Sequence, residues 1–257
     1  MDRKEFLKGM GVAGMTVILP VINSCSKDSV TPASTGTSGS TSTTTTSSGS
    51  STCAVTNSET DGPYPLYTSR GSSLVRTDVT EGGSKTGLPL NMTITIKNTN
   101  NNCAVLEGVV VDIWHCDKDG YYSGYAGQSG YLGTKDYSGY TWLRGRQTTD
   151  ANGQVKFTSI YPGWYVGRMT HIHVQVYTAA NSSKASGSDS VITTQIAFPD
   201  DVTQAVYKTS LYSAHGENTL TFGTDNVFSD GYSNELCTLS GDTTNGYDLA
   251  HTIFVAG

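Results

Sequence analysis

Basic residues are scarce in this chain: 257 residues carry 16 Lys plus Arg against 22 Asp plus Glu, a net charge of -6. That sign is wrong for neutralising phosphates or for holding anionic lipid by charge, so no nucleic-acid partner is expected. Long apolar runs are also lacking, the longest, residues 9–22, falling short of the ~20 residues that cross a bilayer as a helix. Glycines never stand between a strand and a helix in the manner of a phosphate loop, no internal repeat occurs, and the 5 cysteines include no C-x-x-C pair of a zinc site. Amphipathic helical periodicity is nearly absent. What remains is 29 Gly, 15 Tyr and 36% hydrophobic residues, the profile of a turn-rich β protein with enough apolar material for a core.

At the amino terminus Arg3, Lys4 and Lys8 precede the apolar residues 9–22, the charged-then-apolar order of an export signal. The run closes on Ile22-Asn23-Ser24-Cys25, which resembles the lipobox of bacterial lipoproteins, and Arg3-Lys4-Glu5-Phe6-Leu7-Lys8 resembles a degenerate twin-arginine signal. Residues 1–24 are therefore predicted as a signal peptide. Residues 25–52 read as a lipidated Cys25 followed by a Ser/Thr/Gly-rich tether that cannot bury apolar surface, and residues 53–257 as one domain. The expectation is an extracytoplasmic lipoprotein that meets the membrane only through the lipid on Cys25; no oligomeric state is assigned. In such a compartment Cys53, Cys103, Cys116 and Cys237 are expected to form two disulfides, in any of three pairings.

Leu90, Met92, Ile94 and Ile96 alternate with polar residues, the period of a half-buried strand. Residues 109–114 read as a strand covered on both faces, with a turn at Asp117-Lys118-Asp119-Gly120. A second turn at residues 150–153 leads to a strand at Val155 and Phe157. Ile172, Val174 and Val176 define another strand, residues 191–198 another, and 252–255 the last. One helix is expected over residues 201–213, capped by Asp200. Together these give an all-β, single-sandwich fold with one short helix and long loops.

In His171-Ile172-His173 both imidazoles leave the strand on one face, with backbones about 6.6 Å apart, close enough for two long side chains to share an ion. The surroundings are more specific. Val111-Asp112-Ile113-Trp114-His115-Cys116-Asp117, Gly120-Tyr121-Tyr122-Ser123, Arg144 to Asp150, Ile160-Tyr161-Pro162-Gly163-Trp164-Tyr165, Arg168 to His173 and Thr193-Thr194-Gln195-Ile196 follow in order, and Asp61-Gly62-Pro63-Tyr64 precedes them. Over residues 56–198 the chain resembles the intradiol ring-cleavage dioxygenases, non-haem iron(III) enzymes that open catechols. The resemblance implies a prealbumin-like sandwich and an Fe(3+) cofactor bound by Tyr122, Tyr165, His171 and His173. Tyr122 is taken over Tyr121 because the family's ligand directly precedes the Ser position. Arg168 and Gln195 match residues that position and polarise the substrate, and Tyr165 matches the ligand that a catechol displaces. The implied reaction inserts O2 between the two hydroxylated carbons of a small aromatic diol to give a cis,cis-muconate-type product.

The residue types suit that ion: a hard trivalent cation prefers anionic oxygen donors, and two phenolates, two neutral imidazoles and a hydroxide give it a neutral site. Arg144 or Arg146 would be the cation for a carboxylated substrate. His115, beside Trp114, reads as a core histidine or one that supports a ligand, and His215 and His251 have no metal-spaced partner; none receives a role. Two other readings stand beside this one. A non-enzymatic prealbumin-like sandwich would use Tyr165 to fill a core. A phenol-binding surface lipoprotein would use Tyr121, Tyr125, Tyr131, Tyr137, Tyr140 and Trp142 as a stacking platform.

Overall fold

The alternation at Leu90–Ile96 becomes β1 (Pro89–Asn98), whose inward residues are inaccessible and whose outward ones are not. A computed structural model describes residues 53–66, 72–183 and 187–256, all within one compact unit. The expected signal, the lipid site Cys25 and the tether lie outside the described residues. After β1 come β2 (Ala104–Val105), β3 (Val110–Trp114), β4 (Gln128–Gly130), β5 (Gly133–Lys135), β6 (Arg144–Thr148), β7 (Gln154–Ile160), β8 (His171–Tyr177) and β9 (Ile192–Ala197). Helix α1 (Asp200–Tyr207), β10 (Thr238–Asp242) and β11 (Gly246–Val255) complete the order.

One sheet runs β10-β11-β1, with β7 and β2 sharing the edge of β1 opposite β11; the second runs β6-β3-β8-β9, antiparallel throughout. Between them Met92, Ile94, Phe157 and Leu249 from one sheet meet Val111, Ile113, Ile172, Val174 and Ile196 from the other in a single apolar cluster. This is the all-β sandwich that the sequence implies. Among the described residues no helix is long and apolar enough to cross a membrane.

Three expectations need correction. The sequence pattern does not reveal the short β2, β4 and β5, the strands β6 and β10, or the first half of β11. β6 and β10 lie at sheet edges, and they turn only Gly145 and Leu239 to the apolar core, too little to impose an alternation. The helix stops at Tyr207 rather than 213, because the Thr209 hydroxyl and N–H both turn back to the Val206 carbonyl. Asp200 lies inside it. Pro199 is the cap residue, and its carbonyl accepts from both the N–H and the hydroxyl of Thr203. Of the two disulfides only Cys53–Cys103 forms; Cys116 and Cys237 are buried free thiols in separate apolar clusters.

Candidate active site

β8 is inaccessible along its whole length, yet only one face belongs to the sandwich core. Pleating turns Ile172, Val174 and Val176 inward and sends His171, His173 and Gln175 outward, where loops cover them. In register with His173, Trp114 stands on one neighbouring strand and Gln195 on the other. The Trp114 ring stacks on His173 at 4.8 Å and 4°. From the opposite side Gly62, at φ +67°, comes so close that a Cβ there would lie 2.9 Å from His173 Cε1.

His171 Nδ1 lies 2.6 Å from the Met169 carbonyl, which can only accept, so this nitrogen carries the proton and Nε2 presents a lone pair. That Nε2 is 3.1 Å from His173 Nε2. Burial, reinforced by the nearby Arg168 charge, pushes both imidazoles well below their ordinary pKa, so both are neutral. His173 Nδ1 is buried without a hydrogen bond.

The phenols arrive on loops. Asp117 builds the first: its Oδ1 accepts from Asp119 N at 3.0 Å and Tyr121 N at 2.9 Å, while Lys85 pairs with its other oxygen and lies over the Trp142 ring. Gln128 then clamps Tyr122 by its backbone, accepting from its N–H at 2.8 Å and donating to its carbonyl at 2.6 Å. Tyr64 stacks on the Tyr122 ring at 4.8 Å. The Tyr165 loop is pinned to the same turn, since Gly163 N donates to the Asp117 carbonyl at 3.0 Å. A side chain at Gly163 would meet that oxygen at 2.6 Å. One acidic turn thus sets the positions of both phenol-bearing loops.

Tyr122 Oη lies 3.5 Å and Tyr165 Oη 3.4 Å from the Nε2 of His171. Two donors each roughly 2.0–2.1 Å from one metal ion, and about 90–115° apart around it, stand roughly 2.9–3.5 Å from each other. The separations here match that spacing. Burial raises Tyr122 well above the ordinary phenol pKa, and lifts Tyr165 to about 12 against the pull of Arg168. A bound cation reverses that penalty, because the phenolate becomes its counter-charge. The donor set therefore fits a hard trivalent ion. Among the described residues no group of three or more His, Cys, Asp or Glu offers another metal site.

The Dioxygenase family (Dioxygenase_C) matches residues 62–221, which include all four donors. The chain belongs to the intradiol ring-cleavage dioxygenase family. It is similar to an intradiol ring-cleavage dioxygenase from Tetranychus urticae at 23% identity and TM-score 0.66, over 79% of this chain and 95% of that one. It is also similar to the dioxygenase domain of a dioxygenase carbohydrate-binding protein fusion from Streptomyces sp. SirexAA-E, at 25% identity and TM-score 0.53 over 79% and 98%. For 3-chlorocatechol 1,2-dioxygenase from Rhodococcus opacus 1CP the identity is 18% and the TM-score 0.50, over 78% and 72%. No curated protein matches the chain.

Within this dioxygenase fold the other expected residues fall into two groups. Arg168 and Gln195 join the site: Arg168 Nη2 donates to Gln195 Oε1 at 2.6 Å, and Gln195 Nε2 donates to the Thr60 carbonyl at 2.9 Å. Arg144 and Arg146 do not. Arg144 holds the Tyr122 loop through Ser123, with bonds of 3.0 Å to Oγ and 2.7 Å to the carbonyl, and Arg146 chelates Asp112. Both are structural, so neither is the cation for a substrate carboxylate. Tyr121 points away, its hydroxyl donating to the Gly133 carbonyl. His115 is a core histidine bonded to Ser159. The tyrosine cluster is mainly a packed loop around Trp142, with only Tyr131 and Tyr140 strongly exposed. Sequence reasoning missed Gln128, whose role depends on which loop its amide reaches, and Asp225, which lies 57 residues after the arginine it binds.

A cleft of about 460 Å³ opens beside the site, lined by Thr60, Gly62, Pro63, Tyr165, Arg168 and Asn226 among others. Tyr165 is the donor that faces it; Tyr122, His171 and His173 lie deeper.

Proposed function

We propose that this dioxygenase binds Fe(3+) through Tyr122, Tyr165, His171 and His173 and uses O2 to open a catechol between its two hydroxylated carbons, giving a cis,cis-muconate-type product. One observation carries the reading: Tyr122 Oη, Tyr165 Oη and His173 Nε2, from three separated stretches, all stand 3.1–3.5 Å from His171 Nε2 beside an open cleft. A non-enzymatic sandwich or a phenol-binding surface protein gives no reason for that convergence. When bound, the ion would act as a Lewis acid that makes the catecholate ring a target for dioxygen.

The chain's own residues do the rest. Tyr165 is the phenol that lines the cleft, so an entering catechol meets it first. Tyr122 is sealed under Tyr64 and keeps its place. Arg168 aims a fixed cationic donor at the cleft, where negative charge grows as oxygen enters the ring; removing one such donor costs about 10²–10³ in rate. Among the described residues lining the cleft Arg168 is the sole cation, and Asp225 matches its charge, so the preferred substrate is a catechol without a carboxylate. The 460 Å³ leaves room for an uncharged substituent.

In the same reading the chain is an extracytoplasmic lipoprotein, with residues 1–24 removed, lipid on Cys25 and a tether to residue 52. Mass spectrometry of the membrane-fraction protein should find an acylated chain beginning at Cys25; a soluble, unacylated chain refutes the anchor. For the chemistry, the iron-loaded protein should show a red phenolate-to-iron band and consume oxygen with catechol faster than with protocatechuate. A colourless protein that binds iron without oxygen uptake on any catechol defeats the enzyme reading.

A further inference from the structure

Arg168 is gripped by more than Gln195. Its Nε lies 3.1 and 3.0 Å from the two carboxylate oxygens of Asp225, a residue with no accessible surface. Asp225 is itself fixed by the backbone on both sides. Met169 N donates to Oδ2 at 2.6 Å, and Val227 N and Phe228 N donate to Oδ1 at 2.8 and 3.2 Å. Asn218 adds a bond of 2.8 Å to the Arg168 carbonyl, so both the main chain and the guanidinium are held from the 218–228 segment. With Nε tied to Asp225 and Nη2 to Gln195, the planar group is held from two sides, and Arg168 lines the cleft that Tyr165 shares.

We propose that Asp225 is a positioning residue for ring cleavage, clamping the guanidinium of Arg168 beside the cleft where the reacting substrate sits. This rests on the reading above that Arg168 serves the substrate. A guanidinium freed from Asp225 would keep its charge but lose its aim, and electrostatic stabilisation depends on donors being preorganised where charge develops. Asp225 acts only through Arg168, so its removal should matter only while the arginine is there.

The test uses the full-length, iron-loaded protein and Asp225→Asn, which keeps an acceptor for Val227 and Phe228. Iron content and the visible band should equal those of the parent, while kcat falls about 100-fold with KM changed less than about threefold. The Arg168→Ala, Asp225→Asn double variant should be no slower than Arg168→Ala alone, as expected for residues acting as one unit. A crystal structure of Asp225→Asn should show the guanidinium away from Gln195 with the four donors in place. A kcat within twofold of the parent, effects that multiply in the double variant, or an unmoved guanidinium would each overturn the proposal. Should Asp225→Asn fail to fold, Asp225→Glu decides: it keeps the charge but shifts the clamp, and must lose at least tenfold in kcat with the band intact. If Arg168→Ala turns over like the parent, the reading of the site fails instead, and the variant structure still reports whether Asp225 holds the guanidinium.

Discussion

On one face of β8, Ile172, Val174 and Val176 pack against the opposite sheet; on the other, one residue along each time, His171, His173 and Gln175 are just as inaccessible and wholly polar. The two faces exclude water by different means. Apolar contact with a second sheet buries the first, and the driving force is non-directional. Loops bury the second, and each loop is tied by directional bonds from a buried polar side chain: Asp117 and Gln128 under Tyr122, Arg144 under Ser123, Asp225 under Arg168. The core face should therefore govern stability and the loop-covered face chemistry, with little exchange between them.

The strongest test of that separation is His173→Ala. It should abolish turnover and the visible band, exceeding the roughly 10–100-fold effects typical of partners outside the ligand set, while the apo protein melts near the parent temperature. Ile172→Ala should do the opposite, costing about 2–5 kcal/mol in denaturant unfolding while the folded fraction still binds one iron per chain. If Ile172→Ala bleaches the folded protein, the faces are not independent. Gly62→Ala reaches the polar face through its cover: the added methyl meets the His173 ring, and iron affinity should fall about 10–100-fold in a competition titration with a chelator.

The smallest expected effect concerns Glu235, buried beside Thr194 with one oxygen unpartnered. Burial, then repulsion from Glu59, raises its pKa to about 8, and Glu59 itself is raised to about 7. A carboxyl whose folded pKa lies above its unfolded value near ~4.3 holds its proton more tightly when folded, so its contribution is complete below that value and drains away as pH climbs towards 8. The melting temperature of Glu235→Gln relative to the parent should rise between pH 5 and pH 8; a difference that does not change with pH would show that the pair does not titrate in this range.

Legibility in the sequence follows the same division. The core face is periodic, so β1, β3, β7, β8 and β9 are visible in Leu90–Ile96, Val109–Trp114, Val155/Phe157, Ile172–Val176 and 191–198. The edges β6 and β10 carry no such pattern because β6 turns Gly145 to Val79 and Phe157 and β10 sends only Leu239 to the core, so no apolar alternation results. On the polar face the histidines share one strand and one face, which spacing reveals, whereas Tyr122 and Tyr165 were assigned only through the family resemblance. Asp225 has neither signal: an aspartate in a turn looks alike whether it caps its own loop or holds an arginine 57 residues away. Cysteine number likewise overstated the bridges, since Cys116 and Cys237 end in different clusters.

The Cys53–Cys103 bond sits just ahead of the segment that covers the site, the stretch in which Thr60 meets Gln195, Gly62 touches His173 and Tyr64 lies on Tyr122. A pull along the backbone from the amino-terminal side reaches this covalent staple first and is carried into the loop after β1. The cover over His173 is thereby mechanically insulated, and reducing this disulfide to two thiols would expose it to whatever force the preceding chain transmits.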